Sequence, residues 1–269
     1  MKVVGKMLMI KALPCRQDNY IWLLHDAQHA WVIDPSLAEP VLDYLELHGL
    51  ILVDILITHH HFDHVTGMAG LLPILTGRVI GASWRIGEWT DILPAPSHFK
   101  LGNSEIAVEL IPTHGHTYDH VSYYVPCALA QPILFCGDTI FSGGCGRLFD
   151  GTIEQLFDSF VRLMGLPDDT LIACAHEYTL SNLRFALAID DVPSRYNAQV
   201  KALRADNQPS LPTTLAVEKS INPYMRCVAF EPLWIEQLTR FARLHGVLDG
   251  ICTPLDAFRI CRRLKDWFA

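Results

Sequence analysis

The 269-residue chain is short of several things, and each shortage excludes a class of protein. It has no basic excess: 21 Lys and Arg stand against 29 Asp and Glu, a net charge of −8. A protein that binds the phosphate backbone of nucleic acid normally shows a basic excess or stripe, so that partner is not expected, although a small anionic substrate met by a few cations is compatible. It has no long apolar run. The longest, Leu50 to Ile57, is interrupted by Asp54 and falls far short of the ~20 residues of a membrane span. Between Met1 and Cys15, Lys2, Lys6 and Lys11 break up the apolar stretches, and none reaches the ~7–15 residues of a signal-peptide centre. No two of the eight cysteines (15, 127, 136, 145, 174, 227, 252, 261) are spaced C-x-x-C, so they read as reduced cytosolic thiols, mostly small core residues. Gly and Pro, 17 and 16 residues, are close to average usage. With half its residues apolar, the chain can build a substantial core without disulfides. A cytoplasmic monomer with no membrane partner is the expectation.

Short β-rich runs fill the first two-thirds: 7–13, 20–24, 30–33, 53–57, 78–82, 106–111, 121–125, 133–136 and 171–173, each bounded by Gly, Pro, Asp or Asn. Helices are expected at 39–48, with Pro40 in the first turn and Gly49 past the end, and at 152–164. The latter opens on a capping-box pattern, Thr152-Ile-Glu-Gln, and places Ile153, Leu156, Phe157, Phe160 and Met164 on one face. This order of elements predicts layered α/β architecture. After about residue 176 the texture turns helical, at 181–189, 194–206, 232–244 and 254–268. Residues 207–221, with Pro209, Pro212 and several Ser and Thr, read as a loop or linker. A division into 1–175 and 176–269 follows.

What the chain has in abundance is histidine, and eight of its thirteen fall in three places: four between His59 and His64, three between His114 and His120, and His176. His59, His61, Asp63 and His64 form H-x-H-x-D-H directly after the apolar strand at 53–57. In extended backbone, His59 and His61 point the same way, and Asp63 and His64 can turn toward a second position. Imidazole with carboxylate suits zinc, iron or manganese, and the lack of a nearby cysteine argues against a closed structural zinc finger. Gly115-His116-Thr117, Gly137-Asp138-Thr139 and His176 each follow a strand as well. Ligand-type residues at four strand ends can converge on one site.

H-x-H-x-D-H, then G-H-T, G-D-T and a late His resembles the ligand order of the metallo-β-lactamase superfamily. Residues 137–151 (GDTIFSGGCGRLFDG) and 175–183 (AHEYTLSNL), with Asp18-Asn19-Tyr20 and Arg262-Arg263-Leu264-Lys265-Asp266, resemble the glyoxalase II family, the hydroxyacylglutathione hydrolases. The resemblance implies a four-layer αββα metallo-β-lactamase-like sandwich with a helical C-terminal domain, and two divalent metal ions, zinc first and iron or manganese possible. His59, His61 and His116 then hold one ion, Asp63, His64 and His176 the other, and Asp138 bridges both. Pro is usual in the family where His114 stands and Gly where Asp119 stands, so His114 leaves the ligand choice open at that loop; His116 sits in the G-H-T frame. Phe62 and Thr66 also stand where relatives often have His and Gly. His120 reads as a packing neighbour, and His25, His29, His48, His98 and His245 as ordinary histidines.

The implied activity is hydrolysis of a glutathione thioester, foremost S-D-lactoylglutathione to D-lactate and glutathione. Paired ions supply a nucleophile from water near neutral pH and charge for the oxyanion, and a thiol leaves with little help because it ionises near pH 8.5. Asp63 can orient the nucleophile or accept its proton. The resemblance places Arg147, Tyr178, Arg262 and Lys265 around the glutathionyl part, with Phe149 lining the pocket. Arg262 and Lys265, at i and i+3, share a helix face, although on pattern alone that face could be simply solvated. Two other readings stand beside this one. A persulfide dioxygenase would use only His59, His116 and Asp138 around one iron, and oxygen uptake would reveal it. A protein using metal only to hold its fold would hydrolyse no thioester.

Overall fold

The computed structural model describes residues 8–87, 90–126, 130–197, 209–247 and 250–268. The chain forms two compact units. The first comprises Met1–Pro112, Asp119–Gly137 and Ala173–His176, the second Thr113–Tyr118, Asp138–Ile172 and Glu177–Ala269.

The first unit holds a six-stranded sheet in chain order: β1 (Met9–Cys15), β2 (Asn19–His25), β3 (His29–Ile33), β4 (Ile51–Leu56), β5 (Val79–Gly81) and β6 (Thr90–Ile92). β1 to β3 pair antiparallel and β3 to β6 parallel. Parallel neighbours need a crossover, and helix α1 (Glu39–His48) supplies the one between β3 and β4. Its ends are written locally: Pro40 sits in the first turn, and Gly49, at φ 62, turns its amide back to the Leu45 and Glu46 carbonyls. Two short helices follow β4, α2 (Phe62–Val65) and α3 (Met68–Leu71). Val41 and Leu45 of α1, with Met68 and Leu71 of α3, bury against Ile21, Leu23, Val32 and Ile55 of the sheet. Truncating such a core leucine costs about 2–5 kcal/mol.

A second sheet carries β7 (Ser97–Lys100), β8 (Ala107–Pro112), β9 (Val121–Val125), β10 (Ile133–Gly137) and β13 (Leu171–Cys174) in the order β13-β10-β9-β8-β7. Every residue of β9 and β10 is buried, as expected of central strands covered on both faces. Tyr123 of β9, fully buried, donates its hydroxyl to the carbonyls of Ile57 (2.7 Å) and Ile80 (2.9 Å), just past β4 and within β5. The two sheets are thereby joined where the histidine-rich segment begins. Asp54, also fully buried, accepts from the amides of Arg78 (2.9 Å) and Gly102 (2.6 Å).

In the second unit, β11 (Ile140–Phe141) and β12 (Gly144–Cys145) form a short hairpin, and the first two residues of β13 pair with β14 (Thr213–Thr214). Helix α4 (Ile153–Leu163) has the expected capping box between Thr152 and Gln155. Its buried stripe is Leu156, Ser159, Phe160 and Leu163, while Ile153, Phe157 and Met164 sit at its margins. The remaining helices are α5 (Thr179–Ile189), α6 (Leu215–Ile221), α7 (Pro223–Val228), α8 (Pro232–Leu244) and α9 (Pro254–Trp267).

One expectation is overturned. Residues 213–221 are not linker: Thr213 and Thr214 pair with β13, and Thr214 caps α6 by accepting from Val217 N–H. The Ser and Thr that suggested a loop are the strand and the cap. Of the helix expected at 194–206, the described part is a 3-10 turn, Pro193–Tyr196, and the rest lies outside the described residues. Helices α8 and α9 begin and end within a residue of their expected places.

Candidate metal centre

The strand order of the first unit puts one cluster together. β4 ends at Leu56, and the chain then turns through Thr58, whose amide and hydroxyl both donate to the Asp34 carboxylate (2.8 and 2.7 Å). Asp34 itself follows β3 directly, at φ 52. From this anchor His59 Nε2 lies 3.0 Å from His61 Nδ1, and the Thr58 hydroxyl is 3.1 Å from His59 Nδ1. Helix α2 begins after His61, so Asp63 and His64 sit in its single turn.

His176 reaches the same place from elsewhere in the chain. It follows β13, forms a bridge with Asn19, and is preceded by Ala175, whose amide donates to Gly137 and whose carbonyl accepts from Tyr20. His176 Nε2 lies 3.4 Å from Asp63 Oδ2, and His64 Nε2 lies 3.7 Å from the same oxygen. One ligand atom each from Asp63, His64 and His176 lies within 4.8 Å of the others. Behind the rings, His64 Nδ1 meets Asp34 Oδ2 at 3.0 Å and His176 Nδ1 meets Asp18 Oδ1 at 2.8 Å. A carboxylate on Nδ1 fixes the tautomer and makes Nε2 a better donor to a cation.

The Asp63 carboxylate is tuned to match. Burial pushes its pKa up, but the His176 hydrogen bond, the His64 charge and the Asn19 amide (3.1 Å) outweigh that and hold it well below the usual carboxylate range. Imidazole nitrogens and an ionised carboxylate aimed at one point, each ring steadied from behind, form a donor set that fits a divalent metal ion of borderline hardness.

In the second unit His116 and Asp138 come together, Nε2 to Oδ2 at 3.3 Å. His116 Nδ1 lies 2.8 Å from the Arg147 carbonyl, and Phe149 N–H donates to the His116 carbonyl at 3.0 Å. Gly146 makes this possible: a Cβ there would stand 2.0 Å from the Asp138 carbonyl and 3.1 Å from His116 Nδ1. The His114 ring stacks on Tyr118, with ring centroids 5.9 Å apart. In the first unit, His120 stacks on His59 with ring centroids 4.9 Å apart, as a packing neighbour does, and Asp119 accepts from Ser83 and faces His60.

The residues expected on the substrate side all lie in the second unit. Arg147 and Phe149 are exposed, and the Phe149 ring stands edge-on to His116 at 5.0 Å. Tyr178 is half-buried against Phe141. Arg262 is 5% exposed: its guanidinium donates to the Cys145 carbonyl (3.2 Å) and the Asp266 carboxylate (2.7 Å) and lies over the Tyr224 ring. Lys265 is half-buried and donates to the Ser181 carbonyl (3.2 Å). Burial, reinforced by Arg262 and then Arg147, lowers its pKa to about 8.

Comparison with known proteins gives the family. A family model described as Hydroxyacylglutathione hydrolase C-terminus matches residues 177–268, and one described as Metallo-beta-lactamase superfamily matches residues 16–176. The hydroxyacylglutathione hydrolase of Photorhabdus laumondii subsp. laumondii is 43% identical over 263 residues, covering 96% of this chain and 98% of the relative. That of Pseudomonas savastanoi pv. phaseolicola is 48% identical over 228 residues, covering 82% and 86%. The chain belongs to the hydroxyacylglutathione hydrolase family. Among solved structures, ETHE1 from Myxococcus xanthus has a TM-score of 0.60 at 24% identity, covering 96% of this chain and 99% of that one. A metallo-beta-lactamase from Staphylococcus aureus subsp. aureus COL has a TM-score of 0.61 at 20% identity, covering 96% and 72%. These likenesses show the metallo-β-lactamase fold, with a helical C-terminal region added.

Sequence reasoning missed two outer partners of the candidate site in this member of the hydroxyacylglutathione hydrolase family. Asp34 was unremarked, although it follows a strand just as the ligand segments do. Asp18 was noticed only as part of a motif, and nothing local signals that it will meet a residue 158 positions away.

Proposed function

We propose that this chain hydrolyses the thioester bond of S-(2-hydroxyacyl)glutathiones, S-D-lactoylglutathione foremost, releasing the hydroxy acid and glutathione. The observation that carries the reading is the pairing of a metal-ligand set in which three imidazoles, His64, His116 and His176, are each steadied through Nδ1 with a C-terminal region matching the hydroxyacylglutathione hydrolase model. On this reading His59, His61 and His116 would hold one divalent ion, Asp63, His64 and His176 would hold a second, and Asp138 would serve both. Zinc is the first assignment on the imidazole-rich donor set, with iron and manganese accepted by the same ligands. When bound, such a pair supplies a nucleophile from water near neutral pH and positive charge for the oxyanion.

The chain's own groups do the rest. Asp63, held ionised, orients the attacking water and can take its proton. No side chain need protonate the leaving group, because a thiol ionises near pH 8.5 and departs as thiolate. Phe149, beside His116, lines the pocket. Arg147 and Lys265 meet the glutathionyl carboxylates by charge-assisted hydrogen bonds. Arg262, engaged with Cys145 and Asp266, contributes from behind by holding the loop that carries Arg147. Tyr178, packed on Phe141, closes the same side. A cytoplasmic setting is supported by the described cysteines, all free thiols. Among the described residues no helix is long and apolar enough to cross a membrane.

A thiol-trapping assay tests the reading on the metal-replete protein. Release of free thiol from S-D-lactoylglutathione is expected, with little turnover of a β-lactam or a phosphodiester and no oxygen uptake with glutathione persulfide. Elemental analysis of the same sample should approach two metal ions per chain. Preference for any of the other substrates overturns the proposal.

A further inference from the structure

The hairpin β11–β12 has only two residues in each strand, too few to keep its own shape. Its backbone is held instead by buried side chains of four helices. Glu218 of α6 accepts from the Ser142 hydroxyl (2.8 Å) and from Gly143 N–H (2.9 Å). Asn222, at the start of α7, donates to the carbonyls of Phe141 (3.1 Å) and Gly144 (2.9 Å) and to Glu218 (3.2 Å). Asn182 of α5 donates to the Ser142 carbonyl (3.1 Å) and Arg262 of α9 to the Cys145 carbonyl. Glu218 and Asn222 are fully buried, and Asn182 is 5% exposed. Gly143, at φ 65, gives the turn a backbone shape that only glycine takes without strain.

What the hairpin delivers is the next segment. Gly146 N–H donates to the Thr139 carbonyl, the Arg147 carbonyl meets His116 Nδ1, and Phe149 N–H donates to the His116 carbonyl. A shift of the turn therefore moves the one carbonyl that selects the His116 tautomer.

We propose that Glu218 is a positioning residue for His116: by clamping the Ser142–Gly143 turn it sets the Arg147 carbonyl against His116 Nδ1 and so fixes the ring with its Nε2 toward Asp138. A carboxylate suits the position because the Ser142, Gly143 and Asn222 groups around it are all able to donate. Burial raises the Glu218 pKa, and the same donors offset only part of that rise. The consequence for metal binding rests on His116 being a ligand, as proposed above; the positioning itself does not.

The test compares Glu218→Ala with Glu218→Gln. A glutamine can turn its oxygen to Gly143 N–H and its amide to Ser142, whose hydroxyl can accept. Alanine leaves both unheld. In the metal-free protein, ring-nitrogen NMR should report an Nδ1-protonated, exchange-protected His116 in the native chain and in Glu218→Gln. In Glu218→Ala that protection should vanish while the far-ultraviolet circular dichroism stays native. Metal titration should then show about 10- to 100-fold weaker zinc binding at one of two sites, restored by glutamine. A native His116 tautomer in Glu218→Ala overturns the proposal, as does a glutamine variant as damaged as alanine. A lost tautomer with zinc binding unchanged keeps the positioning role and removes His116 from the ligand set instead. If Glu218→Ala does not fold, Glu218→Asp, which draws the carboxylate back from Ser142 and Gly143, should show the same change in smaller measure; a native His116 there overturns the proposal equally.

Discussion

The two units steady their imidazoles by different means. In the first, His64 and His176 rest on the carboxylates of Asp34 and Asp18, which are themselves fixed near the ends of strands. In the second, His116 rests on a backbone carbonyl, Arg147 O, in a glycine-rich segment that four helices hold in place. A carboxylate partner carries charge, raises the basicity of the ring and can be altered by one substitution. A carbonyl partner carries none and changes only if the loop moves. The first arrangement concentrates its dependence in two acids, while the second spreads it through a helical region.

The hardest way to break that comparison is through the residue assigned to both ions. Asp138→Asn should lower the affinity for both ions and cost more activity than any outer partner, beyond about 100-fold. Elemental analysis that finds one site intact would count against a bridging role. Next comes Asp18→Asn, expected to weaken binding of the ion at Asp63, His64 and His176 by roughly 10- to 100-fold and to spare the other, whereas Asp34→Asn also releases Thr58 beside His59 and should touch both. Chelator competition with cobalt-loaded protein can resolve the two, and an equal effect of Asp18→Asn on both would dissolve the distinction drawn here. Gly146→Ala acts instead on the second unit, where His116 and Asp138 sit. Its Cβ cannot stand 2.0 Å from the Asp138 carbonyl, so the loop must move, at about 1–3 kcal/mol of stability, read by denaturant midpoint beside metal content.

The smallest effect concerns Lys265. With its pKa lowered to about 8, the ammonium is charged at pH 7 and lost as pH rises through 8. If it meets a substrate carboxylate, KM for the glutathione thioester should rise about five-fold between pH 7 and 9.5, the scale of a partly exposed ion pair. Lys265→Arg should flatten that rise. A KM that stays level in the native chain removes Lys265 from the substrate site.

Much of this was legible in residues that act locally. Pro40 and Gly49 bracket α1, and Thr152 with Gln155 opens α4 as the capping box requires. His59 to His64 announce a metal because ligand types crowd within six residues. Residues whose meaning depends on a distant partner were not legible. Asp34 is an ordinary aspartate until Thr58 and His64 fold onto it. Thr213 and Thr214 read as loop because the strand they pair with lies some 40 residues earlier. The spacing of Arg262 and Lys265 correctly implies a shared face, but periodicity cannot tell that Cys145 and Asp266 will take up the Arg262 guanidinium.

Tyr123 carries a consequence in time rather than in energy. Its single hydroxyl binds the carbonyls of Ile57 and Ile80 from inside the sandwich, at the point where the chain leaves β4 for His59. Amides there can exchange with solvent only when both sheets part, an excursion of sub-global size. The histidine-rich segment thus hangs from a buried point of the first unit that is expected to open slowly.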